Sequence, residues 1–351
     1  MISTSFISSS ALSNETRRSI ARLQSQLVDA QKELATGRHA DVGVTLGATT
    51  GVSISMRQDL EQIQSIKNSN NLVLGRMDAS QSSLKAVATN TSTFLAALIA
   101  GGSAATSPET LIQAAQSGMQ TLQDQLNTSL DGQYLFAGIN SDVKPMEDFF
   151  GSPPSTGQQA VTDAFVAKFG FAPTDPAVAN ISPADMKDFL DNEFADLFSA
   201  AGWSNTWSSA SDKSVSSRIS RSEIVNTSVT ANNTNFRMLA ESFVMITGLG
   251  FTNLGAGTQQ VIIDKARGIV ATAMGGLTQV QSYLGVTQQR VTSANNQIAS
   301  QIDFLTKSIG NLEQVDPAAV TLKLSDISTA LQAAYSITNK LNNLTIMDYM
   351  S

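Results

Sequence analysis

Cysteine is absent from all 351 residues, and histidine occurs once, at His39. The first absence removes disulfides, thiolate nucleophiles and cysteine-ligated zinc together. The second leaves a Ser–His–Asp arrangement a single possible base, and no nucleophile or orienting-acid motif surrounds it. A histidine just beyond a helical stripe more often sits at the negative end of the helix. Charge is also scarce: Asp, Glu, Lys and Arg make up 15% of the chain, against roughly 25% in typical globular proteins. With 22 basic and 29 acidic side chains, a net charge of −7 and no strong basic cluster, nucleic acid and anionic membrane surfaces are excluded as partners. No apolar run reaches the length of a membrane span. Met1 to Asn14 lacks the basic region and apolar core of a cleaved signal peptide. If the protein leaves the cell, a route without such a signal is expected.

Proline and aromatic residues are not scarce but confined. Six of the eight prolines lie between Pro145 and Pro183, eleven of the fifteen phenylalanines between Phe149 and Phe251, and Trp203 and Trp207 fall in the same stretch. The flanks are nearly proline-free, which reads as a compact insert between two helical arms. In the N-terminal arm Ile20, Leu23, Leu27, Ala30 and Leu34 recur in steps of three and four, one face of a helix that should stop near Gly37. A glycine-rich break over 40–51 precedes a second helix from about Ser53 to Ala100. Ser107-Pro108 caps a third that should run to about Leu130. In the C-terminal arm Leu284, Val291, Ile298, Leu305 and Leu312 repeat every seven residues. From about Thr258 to Gln314 that pattern gives a helix about 85 Å long. Asp316-Pro317 interrupts it, and Leu324, Ile327, Leu331, Ala334, Thr338 and Leu341 carry a further stripe. Neither terminal helix can bury its apolar face alone; the two pair with one another, with other copies, or both. Within the insert, Ser182 to Asp185 resembles a capping box opening a short helix through Phe198, and Val215 to Val229 holds strands. Asn233 caps a helix to Met245.

The expected fold class is therefore mainly α: a long antiparallel helical bundle or coiled coil from the two arms, with a smaller α+β domain in the middle. Three parts are expected: a terminal coiled-coil domain, 1–45 plus 316–351; a helical rod, 46–142 plus 230–315; and the insert, 143–229.

Chemistry is hard to find. Glycines 248, 250, 255 and 257 do not spell a nucleotide-binding loop. Ser82 to Lys85 matches a serine–lysine tetrapeptide without its partner motifs. The acidic run Asp185, Asp188, Asp191, Glu193 and Asp196 lies on a helix rather than converging from a loop, and reads as a solvated face. No catalytic residue, cofactor or metal ligand is nominated. An enzyme with its site in the insert and a signalling coiled coil remain the alternatives from other classes. The first lacks convergent acid–base groups, the second a membrane segment or sensor.

Three stretches carry a resemblance. Leu23-Gln-Ser-Gln-Leu27 with Gln31-Lys-Glu-Leu-Ala-Thr-Gly-Arg38 is similar to the first helix of bacterial flagellins and hook-associated proteins. Asp131-Gly132-Gln133-Tyr134-Leu135-Phe136-Ala137-Gly138 resembles a signature of the hook-associated members that join hook to filament; flagellins carry a different sequence there. The third runs from Leu284-Gly285-Val286 through Val315-Asp316-Pro317 to Tyr335-Ser336-Ile337-Thr338 and Leu344 to Met350, and resembles the ending of those members. Likeness covers roughly the first 140 and the last 120 residues. Ala40 to Gly47 departs from the family, which usually has an Asn- or Asp-rich segment there. The resemblance implies a non-enzymatic subunit of the extracellular bacterial flagellum, exported by the flagellar type III apparatus, with a chaperone on the C-terminal helix. It implies a homo-oligomeric ring of about eleven copies, in contact with a neighbouring hook-associated protein and flagellin. The assembly seam would be Ile20, Leu23, Leu27, Leu34, Leu324, Ile327, Leu331 and Leu341, with termini that order on assembly. The close alternative is flagellin itself.

Overall fold

A computed structural model describes residues 9–102 and 107–349, with side chains placed for 14–102 and 107–340. The fold is mainly α, three quarters helical, with two small two-stranded sheets among the described residues. In chain order the helices are α1 (Ser9–Thr36), α2 (Val42–Leu46), α3 (Thr50–Gly101) and α4 (Pro108–Leu126). The hairpin β1 (Ser129–Leu130) and β2 (Gln133–Tyr134) follows. Next come α5 (Thr156–Phe169), α6 (Pro183–Asp191), α7 (Glu193–Leu197), α8 (Ala200–Thr206) and the hairpin β3 (Ser216–Arg218) and β4 (Ile224–Asn226). The chain closes with α9 (Thr234–Thr247), α10 (Ala256–Glu313) and α11 (Pro317–Tyr349).

Local chemistry explains most of the boundaries. Gly37 takes φ +68°, a left-handed turn that ends α1 as a C′ glycine does. Asp316 Oδ1 accepts from the Ala318 amide at 2.9 Å, capping α11, whose first residue is Pro317. Ser182 Oγ accepts from Asp185 N, and Asn233 Oδ1 from Asn235 N, at the starts of α6 and α9. Three expectations change. The glycine-rich stretch 40–51 is not a plain break: Asp41 accepts from Val44 N and starts the one-turn helix α2. The third helix stops at Leu126, not Leu130, because Asp131-Gly132 turns the chain into β1–β2. The amphipathic segment 183–198 splits at Asn192, whose side chain donates to the Asp188 carbonyl at 2.9 Å and so competes with the helical ladder.

The chain divides into two compact units, residues 1–64 with 299–351 and residues 65–298. In the first, α1 and α11 bury Ala30, Val320, Ile327 and Leu331. The second has a continuous core that includes Met77, Leu84 and Phe94 of α3, Met119 of α4, Phe243 of α9 and Val291 of α10. Helices α4 and α9 approach closely enough that a Cβ at Gly118 would fall 2.2 Å from the Phe243 ring. The insert's aromatic residues join this core as a chain: Phe165 meets Phe189 at 5.8 Å, Phe194 meets Phe198 at 5.1 Å, and Trp203 stacks on Trp207 at 5.7 Å. Such edge and offset contacts add about 1 kcal/mol each beyond burial.

Candidate functional site

The terminal unit is where assembly residues were expected. Helices α1 and α11 run antiparallel: Gln24 Nε2 donates to Tyr335 Oη at 2.9 Å, and Lys323 Nζ to Glu33 Oε2 at 3.3 Å. Ile20, Leu23, Leu27 and Leu324 sit half-buried around the four core residues, with Ile327 and Leu331 inside. Leu34 is not in this cluster and is 44% exposed. Its expected inward place is taken by Glu33, because a straight helix drifts about 20° per heptad relative to a seven-residue repeat. Leu341 lies outside the residues whose side chains are described. The outer surfaces of this unit carry Val28, Phe304, Leu322 and Ile337, all more than half exposed.

A charged clamp lies at the other end of α1. Glu313, the last residue of α10, is buried with its side chain 2% exposed. Its carboxylate accepts from Ser53 Oγ and from Arg57 Nε at 2.9 Å and pairs with the Arg57 and Arg38 guanidiniums, Arg38 Nη2 lying at 2.6 Å. Backbone bonds close the joint: the His39 amide donates to Glu313 O at 3.0 Å and the Val315 amide to Gly37 O at 3.1 Å. Hydrogen bonding from Arg57, reinforced by Ser53 and by the charges of Arg38 and Arg57, outweighs burial and holds Glu313 down at a pKa of about 2. Beside it, Glu33 accepts from the Ala40 amide, with His39 Nδ1 3.9 Å away. Burial pushes the Glu33 carboxyl upward, but the Ala40 amide, Lys323 and His39 together lower it. His39 therefore faces a carboxylate as well as following α1. The sequence pattern missed the clamp, since Arg57 and Glu313 are 256 residues apart and neither belongs to an apolar stripe.

In the second unit, Asp131 to Gly138 forms a turn followed by a core plug. Asp131 and Gly132 take φ +52° and +76°, the left-handed pair that a tight hairpin requires. Tyr134 is half-buried; Leu135, Phe136 and Ala137 are buried. Phe136 meets Phe236 edge-on at 6.0 Å, and its carbonyl accepts from the Ala231 amide at 2.7 Å. Gly138 has φ +63°, and a Cβ there would fall 2.5 Å from Lys213 O and 2.6 Å from Ser211 O. Only glycine fits. These residues set local structure.

Three of the five carboxylates in the insert's acidic run are paired with lysines. Lys168 bridges Asp188 and Glu193, and Asp191 is held by Lys187 and Lys265. Among the described residues no three His, Cys, Asp or Glu side chains gather as a metal site. No described helix is long and apolar enough to cross a membrane.

Comparison with known proteins matches both arms. Residues 7–141 match the bacterial flagellin N-terminal helical region, and residues 268–350 match the bacterial flagellin C-terminal helical region. Among solved structures, a protein described as flagellar hook-associated, from Vibrio parahaemolyticus, is similar with a TM-score of 0.51 and 8% sequence identity. The likeness covers 76% of this chain and 97% of that one, and at that identity it bears on the fold alone. No curated protein sequence matches.

Proposed function

We propose, from the premise that the chain belongs to the bacterial flagellin family, that it is a structural subunit polymerising through its terminal helices at the junction between hook and filament. The observation that carries this reading is the α1–α11 pair. Among the described residues its fully buried core is four side chains with five partly buried ones around them, yet apolar side chains remain on its outside. A helix pair with so small a core is marginal alone, and a stack of copies would cover the remaining apolar surface.

In this reading residues 1–45 plus 316–351 form the inner layer, 46–142 plus 230–315 the rod, and 143–229 an outward insert. The subunit is exported by the flagellar type III apparatus, with a chaperone covering the C-terminal helix until assembly. Order gained on joining the stack keeps lone copies from nucleating early. About eleven copies form the ring, between a hook-associated neighbour and flagellin. The Asp131–Gly138 stretch favours the junction over the filament. No catalytic role is assigned.

Deleting residues 316–351 tests the polymerisation step. Incorporation into flagella should cease while the tryptophan fluorescence of the insert stays native; a truncated chain that still assembles refutes the mechanism. Electron microscopy of a deletion strain separates junction from filament. Hooks without filaments, with flagellin shed into the medium, is the expected picture, and thousands of copies per filament would make the chain a flagellin instead.

A further inference from the structure

Within residues 65–298 a hollow of about 690 Å³ opens where the connection from β4 into α9 faces α10. That volume is within the range of small-molecule sites, about 300–1,000 Å³. Amides and hydroxyls make up most of its polar wall. Asn226, Asn233 and Gln279 supply carboxamides, Ser214 and Thr230 supply hydroxyls, and Tyr283 stands at the side with its ring 48% exposed. We propose that this hollow binds a neutral saccharide, with its apolar face on the Tyr283 ring.

The argument turns on which polar groups are already engaged. The two charges in the wall, of opposite sign, hold hydrogen bonds to neutral groups, and Arg237 Nε has no partner among the described residues. Arg237 donates to Phe198 O at 3.0 Å and to Thr234 Oγ1 at 2.9 Å, and Asp212 accepts from Asn232 Nδ2 at 2.7 Å. The neutral groups have capacity left. Asn226 uses its carbonyl oxygen to accept from Ser216, and Asn233 uses its own to cap α9. Among the described residues the amide N–H groups of both have no partner, and neither has the Gln279 carboxamide. A carboxamide offers two donors and two acceptor lone pairs, which suits vicinal hydroxyls that both give and take hydrogen bonds. Arg237 and Asp212 stand in the same wall, so it carries no net charge to select an ionic ligand. Val280 and the Tyr283 ring supply an apolar strip, and an aromatic ring with one wet edge suits the C–H face of a pyranose. The Tyr283 hydroxyl is tied only through a long bond, 3.3 Å, to the Asn226 carbonyl, so the ring's position does not depend on it. This inference is independent of the junction assignment.

Saturation-transfer NMR on the full chain tests it, with maltose, lactose and N,N′-diacetylchitobiose as neutral probes and 3′-sialyllactose as the anionic one. At least one neutral disaccharide should receive saturation. Tyr283→Ala and Gln279→Ala should each weaken that signal's apparent affinity about tenfold, while Tyr283→Phe, which keeps the ring, should bind as the parent does. Tryptophan fluorescence serves as the folding control, since Trp203 and Trp207 lie in the same unit. Absence of transfer to every neutral probe, preference for the anionic one, or equal binding by the folded Tyr283→Ala variant would each overturn the assignment.

Discussion

Replacing Glu313 by glutamine isolates the clamp of the terminal unit. The substitution keeps the shape but removes the charge, and it points an N–H group toward guanidiniums that need an acceptor. The carboxyl falls from its usual 4.5 to about 2 in the folded chain. At 1.36 kcal/mol per unit that difference corresponds to about 3 kcal/mol. Arg38 and Arg57 are themselves 44% and 39% exposed, so solvent screening reduces the figure to about 2 kcal/mol. The sign follows from linkage: a carboxylate held below its unfolded pKa stabilises the fold fully above about pH 5, and that contribution disappears as pH falls toward 2. Hydrogen exchange followed by mass spectrometry reports the two units separately. Peptides from 46–64 and 299–315 should lose about 2 kcal/mol of protection at pH 7 in Glu313→Gln. Tryptophan fluorescence, which reads only residues 65–298, should not change. In titrations from pH 6 to 2 the parent's terminal unit should converge on the variant's stability. A variant whose terminal protection matches the parent at pH 7, or whose tryptophan signal melts first, refutes the reasoning.

Three further outcomes are expected. Leu331→Ala removes about 2–3 kcal/mol, as a buried leucine does, more than a marginal pair holds, and should melt α1–α11 in the lone chain, whereas Leu34→Ala at its exposed position should stay within about 0.5 kcal/mol; far-ultraviolet circular dichroism of the full chain decides. Gly138→Ala forces a Cβ against two carbonyl oxygens at a left-handed position and should destabilise residues 65–298 by about 2 kcal/mol or more, visible in urea titrations read by tryptophan. Glu241 is raised to about 7 by burial, against a weaker pull from Lys265; its folded form holds a proton that the unfolded chain releases above about 4.5. Stability of that unit should therefore fall as pH rises from about 4.5 to 7. Glu241→Gln should flatten that slope and gain about 1–3 kcal/mol at pH 8; an unchanged slope counts against it.

What the sequence disclosed and what it hid differ by the range of the interaction. Pro317, Gly37, Ser182 and Asn233 mark helix ends because caps act within a few residues, and each stands at such an end in the fold. The β3–β4 hairpin lies where β-branched residues cluster. The β1–β2 turn was legible in Asp131-Gly132, but a helical pattern extended to Leu130 hid it, since periodicity alone carries no stop signal. The Glu313 clamp was invisible for a different reason: its partners come from Ser53, Arg57 and Arg38, brought together only when the far end of α10 returns to the start of α3. The same applies to Glu33. A count of sevens puts Leu34 on the seam, while the true helical repeat turns Glu33 inward, where the Ala40 amide and Lys323 satisfy it. A leucine there would bury more surface but would leave the Ala40 amide without its acceptor and Lys323 without its partner. The polar choice thus fixes how α1, α11 and the chain after Gly37 meet, an outcome that apolar contacts, being non-directional, cannot specify by themselves.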